Sequence, residues 1–128
     1  MHKNKGFTMI EILIVVAILG IISAIAYPSY MESVRKSNRA DAKATLNHVS
    51  QQLHRCYSRD FKYSGCAAAS STTQSGEEFY SINVATTDST FTVTATATGA
   101  PQDKDTDCLT FTIDHLGAKT STTDGVCW

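Results

Sequence analysis

The segment from Phe7 to Tyr27 constrains this chain more than any other, because it is predominantly apolar and carries a single charge, Glu11, near its start. As a helix of about 21 residues rising about 1.5 Å each, it spans roughly 31 Å, the thickness of a bilayer core. His2, Lys3 and Lys5 precede it. Basic flanks of this kind stay on the cytoplasmic side, so the chain is expected to run outward from Phe7. A disposable secretory signal would be cut after the apolar run, and Ser23-Ala24-Ile25-Ala26 offers small residues there. Cutting at that point would leave Glu11 without a purpose. A carboxylate at bilayer depth is costly unless paired, and such residues are functional by default. The segment therefore reads as retained.

The run Lys5-Gly6-Phe7-Thr8-Met9-Ile10-Glu11 resembles the start of the type IV pilins and of their relatives, the type II secretion pseudopilins. These carry a class III signal of Gly, Phe and Thr with Glu at the fifth mature position, and many have proline where Pro28 falls. The resemblance implies a leader of residues 1–6, cut between Gly6 and Phe7 by a prepilin peptidase that then methylates the new amine of Phe7. It also implies a core helix over residues 7–27 and an exported head over residues 28–128. No cofactor is implied.

The motif has a physical logic of its own. Once the leader is gone, each helix end holds the Phe7 ammonium and, four residues on, the Glu11 carboxylate in an apolar setting. In a bundle of such helices, Glu11 of one subunit can pair with the Phe7 amine of a neighbour. Leaving either buried charge unpaired is strongly unfavourable, so the pair sets register.

After Pro28 the pattern turns amphipathic. Ala42, Leu46, Val49, Leu53 and Tyr57 recur at spacings of three and four, one helical face. The helix is expected to run from about Phe7 to about Tyr57, with Gly20 and Pro28 as points of bending during assembly. Only its second half has a domain to pack on. Arg35, Arg39 and Lys43, four apart with Lys36 beside them, form a basic stripe expected to be solvated or interfacial.

The stretch Ala67 to Gly76, within a connection over residues 58–78, is small and polar and reads as a surface loop. Three strands follow over residues 79–128. Tyr80, Ile82 and Val84 alternate with polar or small residues. Phe91, Val93, Ala95 and Ala97 alternate with threonines, as do Leu109, Phe111 and Ile113 with Thr110, Thr112 and Asp114. Asp114-His115-Leu116-Gly117 reads as a hairpin into a fourth short strand around Ala118 to Thr122. The expected class is α+β, a long helix over residues 7–57 packed on a three- to four-stranded antiparallel sheet. A sheet with one apolar face needs such a cover, and the helical stripe supplies it. The type IV pilin resemblance implies the same arrangement.

The four cysteines suit two disulfides in an oxidising compartment, and four cysteines allow three pairings. The disulfide-bounded loop of many pilins implies Cys108 with Cys127, which leaves Cys56 with Cys66 to tie the helix end to the following loop. Zinc is disfavoured because no two cysteines have a short finger spacing. The histidines form no metal motif: His48 and His54 are six apart, His2 lies in the leader and His115 in a turn. Asp103-Lys104-Asp105-Thr106-Asp107 lacks the glycine and final glutamate of a calcium loop and is expected to be solvated. No phosphate loop, nucleophile elbow or HExxH helix is present, so an enzyme is not expected.

The formal charge is −1, and losing Lys3 and Lys5 with the leader would make it two units more negative. That balance argues against a general nucleic-acid binder, whose affinity comes from neutralising phosphates. A local patch is still available from Arg55, Arg59, Lys62 and Lys119, with Tyr57, Tyr63 and Trp128 as aromatics. The reading is a structural subunit of a type IV pilus, with a tail most like that of PilE-type minor pilins, taking part in assembly and so in twitching motility, adhesion or DNA uptake. The alternatives are a DNA-binding competence pilin, a major pilin and a pseudopilin. Implied partners are other pilins in a helical filament, the prepilin peptidase and the inner-membrane assembly platform. The chain would sit in the inner membrane with its head in the periplasm, then in an extracellular pilus.

Overall fold

A computed structural model describes residues 6–69 and 73–128. His2, Lys3 and Lys5, with the rest of the leader before Gly6, lie outside the described residues. The chain divides into two compact units, one ending at Ser33 and the other comprising Val34–Trp128.

The helix α1 (Met9–Asp60) begins in the first unit and ends in the second. It continues through Pro28, which lacks an N–H and so leaves one carbonyl of the preceding turn without its usual partner. In the first unit no residue from Gly6 to Tyr30 is buried. Ile10, Leu13, Val16, Ile21 and Ile25 are each more than 60% exposed. An 18-residue stretch of α1 near its N-terminus has a mean hydropathy of 2.8, enough by length and composition to cross a membrane. Tyr27 and Tyr30 of the first unit stand exposed, the residue type that favours a membrane–water boundary.

In the second unit α1 acquires a buried face. Ala42, Leu46, Val49 and Leu53 pack in one cluster with Tyr80, Ile82, Phe91, Val93, Ala95, Phe111 and Ile113, and Tyr57 lies against its edge. The strands are β1 (Thr73–Gln74), β2 (Tyr80–Thr86), β3 (Phe91–Ala97), β4 (Thr110–Asp114) and β5 (Lys119–Ser121), antiparallel and in chain order across one sheet. The core residues come from alternate positions of β2, β3 and β4, as the period of two requires.

The sheet has five strands where three or four were expected. The extra one, β1, falls inside the stretch read as a surface loop. Two residues at a sheet edge need no apolar alternation; β1 exists because Thr73 and Gln74 lie opposite Ile82 and Ser81 of β2. The Ser75 N–H extends the ladder to the Tyr80 carbonyl at 2.8 Å. The β4–β5 hairpin turns at Gly117, whose φ of +78° suits glycine. One carboxylate oxygen of Asp114 accepts the N–H groups of Leu116 and Ala118 there. Disulfides join Cys56 to Cys66 and Cys108 to Cys127, the pairs implied by the resemblance.

Candidate assembly signal and nucleic-acid surface

At the start of α1, Thr8 and Glu11 hold each other. The Thr8 hydroxyl accepts the Glu11 N–H at 3.3 Å, and the Glu11 carboxylate accepts the Thr8 N–H at 3.5 Å. This is the reciprocal capping box, which satisfies two donors that a helix start leaves unpaired. It was legible as Thr8-Met9-Ile10-Glu11, yet the sequence reading assigned Glu11 a role between subunits alone. Phe7 is 81% exposed beside it. Gly20 has nothing within contact distance of where a Cβ would stand.

The basic stripe of α1, expected to be solvated or interfacial, is drawn into the head at Arg39. Arg39 turns onto the head's own Asp105, donating from Nε at 2.6 Å and from Nη2 at 2.5 Å in a bidentate pair. The two side chains are 12% and 5% exposed. The aspartate-rich stretch is therefore corrected too: Asp105 is buried and paired, while Asp103 and Asp107 stay exposed. Sequence reasoning missed the pair because its partners lie 66 residues apart. Lys43 is half-buried, and its ammonium is pushed below the usual lysine range by burial first and by Arg39 and Lys119 next.

Beneath that pair runs a buried polar chain. Asn38 donates to the Gln102 side-chain carbonyl at 3.1 Å, and Gln102 donates to the Tyr80 hydroxyl at 2.8 Å. Tyr80 in turn donates to the Cys108 carbonyl at 3.1 Å. The connection between β3 and β4 is thus fastened to α1 by hydrogen bonds as well as by the ion pair.

The four cations singled out for DNA fall into two groups. Arg55 and Arg59, one turn apart on α1, line a shallow pocket of about 310 Å³ with Gln52, Ala67 and the Cys56–Cys66 bridge. Lys62 follows directly, and all three are exposed. Lys119 belongs elsewhere, on β5, with its ammonium 4.7 Å from the centre of the Trp128 ring. Of the expected aromatics, Tyr63 is buried and stacked on Tyr57 with ring centres 4.5 Å apart. Trp128 packs edge-on against Phe111. Neither Tyr63 nor Trp128 is a free stacking surface.

Two family models match adjoining parts of the sequence. Residues 1–27 match the prokaryotic N-terminal methylation motif. Residues 28–112 match the family described as type IV minor pilin ComP, DNA uptake sequence receptor. A type IV pilin structure from Shewanella oneidensis is 30% identical, with a TM-score of 0.58 over 73% of this chain and 97% of that one. The chain belongs to the type IV pilins.

The minor pilin PilV of Neisseria meningitidis shares the fold, with a TM-score of 0.55 at 15% identity over 73% of this pilin and 91% of that chain. By sequence, the type IV major pilin PilA of Myxococcus xanthus is 38% identical over 65 residues, 51% of this chain and 30% of that protein. The fimbrial protein EcpB of Eikenella corrodens is 47% identical over 53 residues, 41% of this chain and 29% of that one. This pilin thus spans about a third of the length of those relatives. Among the described residues of the pilin, no group of three or more His, Cys, Asp or Glu side chains is placed to hold a metal ion.

The aromatic that sequence reasoning missed is Phe61. It follows the last residue of α1, between Arg59 and Lys62 in sequence, and is 79% exposed. Its signal was the sequence Arg59-Asp60-Phe61-Lys62, an aromatic among charges just where the apolar stripe ends.

Proposed function

We propose that this pilin is a minor subunit of a type IV pilus that captures DNA at the fibre surface. The match of residues 28–112 to the DNA uptake sequence receptor family carries the reading. The exposed cations Arg55, Arg59 and Lys62 support it by giving an acidic chain a local phosphate-binding surface.

The assembly steps follow from the chemistry of the N-terminus. The prepilin peptidase cuts between Gly6 and Phe7 and methylates the Phe7 amine. The retained helix holds the subunit in the inner membrane, with the head in the periplasm. At the inner-membrane assembly platform the helix leaves the lipid and docks among those of other pilins. There Glu11 exchanges its own Thr8 N–H for the Phe7 ammonium of a neighbour, a stronger charge-assisted partner. Gly20 and Pro28 are where the helix bends or unwinds as it docks. A head-to-tail contact whose rotation does not close then gives a filament rather than a ring.

The deciding experiment measures the pilin in sheared, purified pili, with piliation and DNA uptake in a strain lacking it. A scarce subunit whose loss abolishes uptake but leaves pili supports the reading. A dominant band would make it the major subunit. Loss of pili altogether would make its role assembly rather than capture. Separately, Glu11→Val should leave processing intact and lower incorporation at least tenfold on immunoblots of sheared pili, and normal incorporation would remove the charge-pairing argument.

A further inference from the structure

We propose that Phe61 is a base-contacting residue of this pilin, offering its ring to a nucleobase while Arg55, Arg59 and Lys62 take the neighbouring phosphates. The proposal rests on the DNA-capture reading and names the group within that surface which would touch a base.

Among the Phe, Tyr and Trp side chains of Val34–Trp128, Phe61 alone is exposed, with Tyr57, Phe79 and Trp128 half-buried. Tyr63, Tyr80, Phe91 and Phe111 are at most 5% exposed, whereas Phe61 is 79% exposed. Its backbone is equally unusual. With φ at +55°, Phe61 ends α1 in the left-handed conformation, and its N–H closes the last turn on the Tyr57 carbonyl at 2.8 Å. Glycine or asparagine normally fills such a position, because a Cβ there is crowded. Phe61 therefore gains little from burying its ring and carries a backbone cost as well.

The turn that carries it is rigid. Tyr57 before it and Tyr63 after it stack on each other, and Tyr63 packs edge-on against Phe91 of β3. The Tyr63 N–H bonds the Asp88 carbonyl at 3.1 Å, and the Cys56–Cys66 bridge closes the segment. A ring presented from a fixed base loses little freedom on binding.

Charge selects the occupant. Arg55 and Lys62 are exposed, and the acid among them, Asp60, is neutralised by Arg59 in an exposed pair at 2.8 Å for which a phosphate can compete. The shallow pocket beside them is lined by Arg55 and Arg59. An exposed aromatic two residues after Arg59 and one before Lys62 suits a ligand with π-faces spaced along a phosphate chain, which is nucleic acid. The base could come from a single strand, stacking on the ring, or from a duplex step opened by it as an apolar wedge.

The test uses the full-length pilin in detergent micelles, with fluorescent single-stranded and duplex oligonucleotides titrated by anisotropy at several salt concentrations. Phe61→Ala should weaken binding about 5- to 100-fold with the salt slope unchanged. Phe61→Trp should restore it and Phe61→Leu should not. Lys62→Gln should instead lower the slope by about one. A Phe61→Ala loss confined to the single strand identifies stacking, and a loss on the duplex identifies wedging. Phe61→Gly, free of the backbone crowding, should be at least as heat-stable as the parent, so lost binding in it cannot come from unfolding. If Phe61→Ala binds like the parent while Lys62→Gln is weakened, the DNA reading stands and the role of Phe61 falls. If the parent pilin shows no salt-dependent binding, the DNA reading itself falls. If Phe61→Ala keeps DNA affinity but disappears from sheared pili, the ring packs on a neighbouring subunit and the proposal is overturned.

Discussion

The two stretches of α1 are built from the same kinds of apolar side chain, yet they end in opposite environments. Before Ser33, Leu13 and Leu19 are 63% and 57% exposed; beyond it, Leu46 and Leu53 are fully buried. The difference lies in the arrangement of the apolar residues. The first stretch carries exposed apolar side chains around its circumference, so their burial must come from lipid or from other helices. The second confines its apolar residues to a stripe that the sheet covers. One stretch thus suits partners and the other self-sufficiency, in keeping with the assembly role proposed for Glu11 at the head of the first.

The sharpest way to break this comparison is to truncate one leucine in each stretch. Leu46→Ala should destabilise the head by about 3 kcal/mol through lost burial and the cavity left behind. Leu19→Ala should change head stability by less than about 0.5 kcal/mol. Denaturant titration of the detergent-solubilised pilin reads both, and equal losses would end the distinction. Cys127→Ser, which opens the Cys108 bridge, should cost about 3 kcal/mol on the loop-entropy estimate and lower subunit abundance. Unchanged abundance and protease resistance would show that the head holds its C-terminal segment without it.

Arg39→Ala tests whether the second stretch is held by charge as well as by packing. It leaves the Asp105 carboxylate, 5% exposed, without its partner, so a loss of about 2–3 kcal/mol is expected. In Arg39→Ala, adding Asp105→Asn should return part of it, and no recovery would place the cost in packing alone. The smallest effect concerns pH. Burial, with the charge of Asp105 adding to it against the Gln102 hydrogen bond, raises the Tyr80 phenol above its ordinary 10.0. Burial and Tyr57 raise the phenol of Tyr63 as well. A raised folded-state value means stability fully present below about pH 10 and lost as pH climbs through the folded value. Thermal melts at rising pH should therefore turn downward above about pH 10. Tyr80→Phe should blunt that decline, and an unchanged profile would mean that other groups control it.

The buried stripe of α1 and the alternating strands were legible because each is a periodic pattern within ten or twenty residues. Thr73–Gln74 was not, since a two-residue edge strand exists through its neighbour's free hydrogen-bonding edge rather than through its own side chains. The basic surface was half legible. Arg55 and Arg59 line one pocket near the end of α1, but Tyr63 was expected to serve that surface and is instead in the core.

By itself the sequence determined the apolar helix with its single carboxylate, the amphipathic continuation and the antiparallel strands, because these rest on local periodicity and on the cost of placing charge in an apolar setting. Only the tertiary structure decided that Arg39 belongs to Asp105, that Gln102 lies buried between Asn38 and Tyr80, and that Phe61 rather than Tyr63 faces outward. Those outcomes depend on which distant backbone segments the antiparallel sheet and the two disulfides bring together. No short-range pattern encodes that proximity.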